Sequence, residues 1–174
     1  MNTTDAQQMY EIMSKYPEAT AEIYHSGYDG YLKYIFEKHV TPKLQSFAED
    51  KGLIYKEESL WNGGWKAFYF YRSEWKHYAI NITNEHNSNF RDFFIGVASR
   101  NDISNSEMLP VQERLNAFNN KGNRYWPFGY AYLPKYSSWW TSVTIDMING
   151  NFAKFIENLV SEVLEELDER HINL

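Results

Sequence analysis

WKAFYFYRSEWKHYAINIT, residues 65–83, is the stretch whose reading decides the fold. Its two ends alternate in polarity rather than repeating every three or four residues, so it predicts two strands, Trp65–Tyr71 and His77–Thr83, joined by a short turn around Ser73-Glu74. Tyr78, Ile80 and Ile82 share one strand face, while His77, Asn81 and Thr83 take the other. A link this short requires antiparallel pairing.

Upstream, Leu53–Ser59 reads as a further strand, connected through Asn62-Gly63-Gly64, residues that tolerate the positive φ of a tight turn. Downstream, the polar loop NEHNSN (84–89) leads to FFIGVAS (93–99), whose Phe93, Ile95 and Val97 share a face. These segments make a four-stranded antiparallel meander. The same face alternation predicts a short additional strand in Gly129–Leu133, between Pro127 and Pro134.

Helices flank the meander. Asp5–Tyr16 reads as a short helix ended by Pro17, and residues 1–27 form a less tightly packed segment. Tyr28 to Lys51 carries Tyr28, Tyr31, Leu32, Ile35 and Phe36 on one face, continued by Leu44 and Phe47. Thr41-Pro42 reads as an N-cap with a first-turn proline, so this stretch divides into two helices, and Gly52 stops it. Glu107–Phe118 reads as a helix with Leu115 and Phe118 inward. Ser137 or Ser138 caps a helix entered by Trp139 and Trp140 and running to Asn149-Gly150. From Gly150 or Asn151 to about Asp168, Phe152, Phe155, Ile156, Leu159, Val163 and Leu167 form an amphipathic stripe, with Glu162, Glu165, Glu166 and Glu169 on the opposite, solvated face. The expected fold class is α+β in a single domain spanning residues 1–174: N-terminal helices, the meander, then helices packed on one sheet face.

Composition narrows the chemistry. The chain has 174 residues, no cysteine and a formal net charge of −6. Disulfides, thiolate metal sites and cysteine nucleophiles are thereby excluded. The acidic balance disfavours nucleic-acid binding, which depends on neutralising phosphates with Lys and Arg. The N-terminus lacks a basic start followed by an apolar run, and no stretch nears the ~18 consecutive apolar residues of a membrane span, so a cytoplasmic domain without membrane attachment is expected. No Walker-type loop, GxSxG or HExxH occurs. His77 and His86, with Glu85 adjacent, are the closest histidines, and a solvated loop accounts for them. No cofactor is expected.

Aromatic residues make up 18% of the chain, and YWPFGYAYLPKYSSWW (125–140) is the densest run. Rings bury large areas, yet Trp and Tyr also anchor binding surfaces. Because the run spans a strand, a loop and a helix start, its rings cannot all face one groove, and most are expected in the core. The exposed remainder, expected at Trp61, Trp65, Trp126, Tyr136 and Trp139, would bind a protein partner.

The run Trp126-Pro-Phe-Gly-Tyr-Ala-Tyr-Leu, then Trp139-Trp140-Thr, then Ile148-Asn-Gly-Asn-Phe-Ala before an acidic amphipathic helix, resembles the region C-terminal to the catalytic core in a group of bacterial and phage PD-(D/E)XK nuclease-superfamily proteins. The likeness covers roughly residues 28–168. It implies a nuclease-associated accessory region and transfers no catalytic residue, because the chain contains no Pro-Asp pair. Two (D/E)-x-K triplets occur, Glu49-Asp50-Lys51 and Glu74-Trp75-Lys76. The leading expectation is a non-enzymatic binding module. The alternatives are a divergent metal-dependent nuclease using Glu74 and Lys76 with Glu85 or Asp92, and a small inhibitor or chaperone-like protein whose acidic helix meets a basic surface.

Overall fold

The computed structural model describes residues 15–16, 30, 32–58, 60, 67–84, 92–100, 108–138 and 141–174. Five strands form one antiparallel sheet in sequential order: β1 (Ile54–Glu58), β2 (Ala67–Tyr71), β3 (Tyr78–Asn84), β4 (Phe93–Ser99) and β5 (Tyr130–Tyr132). The expected meander is present, and the short 130–132 segment extends it to five strands by pairing Phe94 with Tyr132 and Gly96 with Tyr130. Among the described residues, α1 (Thr41–Asp50), α2 (Thr141–Asn149) and α3 (Asn151–Glu169) accompany the sheet, with a further helical run over 32–39. The class is α+β.

The register sorts side chains by face. Tyr55, Phe70, Ile80 and Val97 form one cross-strand row, and Glu57, Phe68, Ile82, Ile95 and Ala131 form the next. Helices cover this face. Phe36, from the helical run 32–39 that leads into α1, meets Phe68 at 5.7 Å and Phe152 of α3 at 6.2 Å, both edge-on. Phe47 of α1 meets Phe70 at 6.0 Å. Edge-to-face pairing lets large rings share a core without stacking repulsion. Phe36, Phe68, Phe70 and Phe152 are all fully buried. The α3 stripe lands as the periodicity requires, with Phe152, Ile156, Val163 and Leu167 buried and Phe155 and Leu159 partly so. Between α2 and α3 the chain turns on Gly150, whose φ of 83° is costly for any residue with a Cβ.

Four expectations need correction. Residues 109–115 are irregular rather than helical. Leu115 and Phe118 still point into the core, but the segment's N–H groups are taken by distant acceptors: Gln112 donates to Pro127 O, Leu115 to Phe128 O, and Asn116 and Ala117 to the Glu166 carboxylate. A helix would need those donors for itself. Glu166 consequently leaves the solvated face assigned to it. It is buried and also accepts a charge-assisted bond from Arg170, whereas Glu162, Glu165 and Glu169 are exposed. Thr41 does not cap α1. Val40 takes that place, without a side-chain cap bond, and the Thr41 hydroxyl instead donates to Glu57 at 2.6 Å, fastening α1 to β1 beside the Tyr55 hydroxyl at 2.9 Å. Tyr136 is core rather than exposed surface, as described below. The expected Asp5–Tyr16 helix, apart from its last two residues, and the Asn62-Gly63-Gly64 turn lie outside the described residues.

Candidate functional site

The sheet face turned away from the helices mixes small and aromatic side chains. Ala67, Ala79 and Ala98 are buried there, and the row Lys56, Tyr69, Asn81, Gly96, Tyr130 crosses the sheet through its one strand glycine. The loop between Asn120 and Tyr130 folds over this face. It is closed at its base by a bridge in which Asn120 N–H donates to Tyr130 O at 2.9 Å. At its tip Asn123 Oδ1 accepts from the N–H groups of Tyr125 (2.8 Å) and Trp126 (3.1 Å), an Asx-type turn. The loop is thus rigidly hydrogen-bonded, and it delivers one large side chain to the sheet.

That side chain is Trp126. Its indole rests on Gly96: a Cβ at position 96 would lie 2.6 Å from Cε3 of the ring. Phe94 meets the indole edge-on at 4.8 Å, and Tyr130 packs tilted against both, 5.3 Å from Phe94 and 6.4 Å from Trp126. Glycine at 96 is therefore a steric requirement of the wall, since any side chain would displace the ring.

Beside this wall lies a cavity of about 810 Å³, within the size range of small-molecule sites. Ala67, Asn81, Thr83, Phe94 and Ala98 floor it; Trp126 and Tyr130 wall it; Tyr125, Arg124 and Asn123 come from the covering loop, Met108 from just before the 109–115 stretch, and Glu58 from the edge strand. Among the described residues, Asn81 Oδ1 is buried without a hydrogen-bond partner. Leaving a buried acceptor unpaired costs about 1–3 kcal/mol, so this oxygen holds unused binding capacity. Tyr69, in the same row as Asn81, has its hydroxyl pKa pushed up to about 12 by burial and then by the neighbouring Glu58 carboxylate, which also accepts its hydrogen bond. Tyr69 therefore stays a neutral donor at physiological pH.

The sequence-derived residues fall as follows. Trp126 is half-buried and lines the cavity. Trp61, Trp65, Trp139 and Glu85 lie outside the described residues. Tyr136 is only 2% exposed, packed edge-on to Phe152 at 5.0 Å and Phe155 at 4.9 Å. Its hydroxyl donates to Asp146, which also pairs with Lys135 at 2.7 Å and accepts from Asn151 at 3.1 Å. Tyr136 thus joins the turn after β5 to α2 and α3, which is a structural task.

Of the alternative metal-site residues, Glu74 and Lys76 do not meet Asp92. Glu74 and Lys76 are exposed in the turn between β2 and β3, whereas Asp92 precedes β4 at the opposite end of the sheet. The seven residues of β3 separate them by about 20 Å. The Glu74-Trp75-Lys76 triplet has a structural origin. Trp75 is 1% exposed and plugs the core, the Arg100 guanidinium donates to the carbonyls of Trp75 and Lys76, and Arg72 pairs with Asp168 of α3 at 2.6 Å. Among the described residues, no three His, Asp or Glu side chains group as a metal site, and no helix is long and apolar enough to cross a membrane.

Sequence reasoning missed Asn81, Thr83, Phe94 and Gly96 as site residues. Asn81 and Thr83 were legible as the second face of β3, but without the covering loop that face reads as solvated. Compared with family models, with curated proteins and with solved structures, the chain gives no match.

Proposed function

We propose that this chain is a non-enzymatic binding module, cytoplasmic, which works as an accessory to a protein partner of nuclease or phage-defence type and recognises its target at the cavity beside Trp126. The observation that carries this reading is the cavity itself: a hollow on a sheet face, walled by a tryptophan fixed on a glycine and floored by small and neutral polar side chains. Closed cores fill such space with side chains, because interiors pack nearly as tightly as organic crystals. The accessory role rests on the resemblance in residues 28–168. The placement of Glu74 and Lys76 a full strand length from Asp92 weighs against metal-dependent cleavage by those groups.

The test compares tagged wild type with Trp126→Ala after expression in bacterial cytosol. Wild type is expected to retain a bound molecule or partner, seen by native mass spectrometry, that the variant loses while its melting temperature stays within a few degrees. Identical bound species in both would remove Trp126 from recognition. Phosphodiester cleavage in Mg²⁺ or Mn²⁺ that Glu74→Gln abolishes would overturn the non-enzymatic assignment.

A further inference from the structure

Building on the binding-module reading, we infer that the cavity takes a neutral, planar heterocycle with a hydrogen-bonding edge, the chemistry of a nucleobase, whether in a free nucleotide or as an unpaired base in a strand.

Three features define this class. The first is the wall. Trp126 stands on Gly96 and is braced edge-on by Phe94, so a flat π-surface is held in place before any ligand arrives. Stacking on such a surface favours flat rings and tolerates any ring with a π-face. The second is the floor. Asn81 lines the cavity and its Oδ1 has no partner among the described residues. A carboxamide offers an acceptor and two donors; Oδ1 is sealed off as the side chain stands, and turning the carboxamide over is what would let it engage a ring edge that carries both. A purely hydrocarbon ligand would leave that oxygen unpaired.

The third feature is where the charges sit. Glu58 belongs to the row Glu58, Ala67, Thr83, Phe94, three strand spacings or about 14 Å from Phe94. Among the described lining residues the other charged group is Arg124, two residues from Trp126 in the covering loop, with its guanidinium 4.5 Å from the Tyr125 ring. Between them the floor is Ala67, Asn81 and Thr83, all uncharged. A ring over that floor meets neutral polar groups, and an anionic substituent is better accommodated beside Arg124 than beside Glu58. The size is ample for one base with its sugar.

The test uses two-dimensional ¹H–¹⁵N spectra of the full chain titrated with adenosine, uridine and, as a ring without a polar edge, toluene. Adenosine or uridine is expected to shift the Trp126 indole N–H and the Asn81 side-chain amide saturably, with affinity weakened at least tenfold in Asn81→Ala and lost in Trp126→Ala. Toluene is expected to bind at least tenfold more weakly than the better nucleoside. If toluene binds as well as the nucleosides and Asn81→Ala changes nothing, the ligand-class inference fails while the cavity remains a binding site. If no probe shifts the wild-type resonances, the inference fails whatever the variants do; the native mass-spectrometric comparison of wild type with Trp126→Ala then decides separately whether the binding-module reading survives. Two further arms identify the source. An oligo(dA) hexamer binding tenfold tighter than adenosine monophosphate supports the inference with a strand as the ligand, and equal affinities support it with a free nucleotide.

Discussion

Replacing Gly96 by Ala tests the central contact of the site with a single methyl group. The new Cβ would lie 2.6 Å from Trp126 Cε3 and 3.1 Å from Gly129 O, the first well inside van der Waals contact. Either the strand shifts or the indole leaves its seat, forfeiting its contacts with Phe94 and Tyr130. Overpacking of this kind costs about 1–3 kcal/mol. Against it stands a gain of about 0.4–1 kcal/mol, because alanine has less freedom than glycine to lose on folding and Gly96 does not require a positive φ. The net expectation is a loss of roughly 1–2 kcal/mol, equivalent to about 2–8 °C in melting temperature for a chain of this length. The sharper measurement is a double-mutant cycle read by urea denaturation. In a Trp126→Ala background the contact with the ring is gone and only the 3.1 Å approach to Gly129 O remains, so Gly96→Ala is expected to cost at least about 1 kcal/mol less than in wild type, giving a coupling of about 1–3 kcal/mol between the two positions. An equal cost in both backgrounds would refute the argument, since it would show that the indole does not rest on Gly96.

The other expectations concern filling, anchoring and pH. Ala98→Leu, directed into the cavity, is expected to change stability by less than about 1 kcal/mol, whereas Val97→Phe on the helix-covered face overpacks and costs about 1–3 kcal/mol; equal losses in thermal melts would mean that the hollow is closed. Glu166→Gln, which weakens acceptance from Asn116, Ala117 and Arg170, is expected to lose about 2–4 kcal/mol by denaturant titration, and an unchanged midpoint would contradict the anchoring role. Asp146 has its pKa lowered from 3.8 to about 2 by hydrogen bonds from Lys135, Asn151 and Tyr136, so its stabilisation is complete above pH 4 and is lost as pH falls toward 2; Asp146→Asn is expected to flatten that part of the stability profile, and a profile as steep as wild type would exclude Asp146 as the source. Tyr69, raised from 10.0 to about 12, favours the folded state fully below pH 10 and loses that contribution as pH rises through 12. Tyr69→Phe is expected to weaken the alkaline decline, followed by denaturation between pH 9 and 12.

The strands were legible because each obeys a local rule. Period-two alternation placed Ile80 and Ile82 opposite Asn81 and Thr83, and the register agrees by setting Phe68, Phe70, Ile95 and Val97 beside the two isoleucines. The α3 stripe was equally local. What sequence could not supply were contacts between positions far apart in the chain. The 109–115 segment has helical spacing at Leu115 and Phe118, yet its donors are claimed by Pro127, Phe128 and Glu166. Glu166 sits in an acidic run that reads as solvated, and only the arrival of Asn116 and Ala117 backbone makes its burial favourable. Tyr136 shows the same limit: a Tyr in an aromatic run fits surface and core alike, and the arrangement of Asp146 with Phe152 and Phe155 decides between them. Trp126 was identified as a site residue for its type, while Gly96, which fixes its position, carries no side chain to attract notice.

The aromatic excess therefore divides into two populations with different physical work. Phe36, Phe68, Phe70 and Phe152 interlock edge-on between sheet and helices, where each ring is fully enclosed and its area alone stabilises the fold. Phe94, Trp126, Tyr130 and Tyr132 cluster on the reverse face, where Trp126 and Tyr130 are only half-buried and Tyr132 is exposed. A chain needing only stability would set large residues opposite that second cluster and close the space, because each buried methylene adds about 0.8 kcal/mol. Instead, although Tyr69 and Tyr71 fill part of this face, Ala67, Ala79, Gly96 and Ala98 occupy the sheet beside them, and an amide oxygen without a partner among the described residues is kept there. Both choices lower stability relative to a filled face. Their combination with a loop hydrogen-bonded to hold one indole in place is the arrangement expected where a concave surface, rather than the last increment of folding energy, is what the fold supplies.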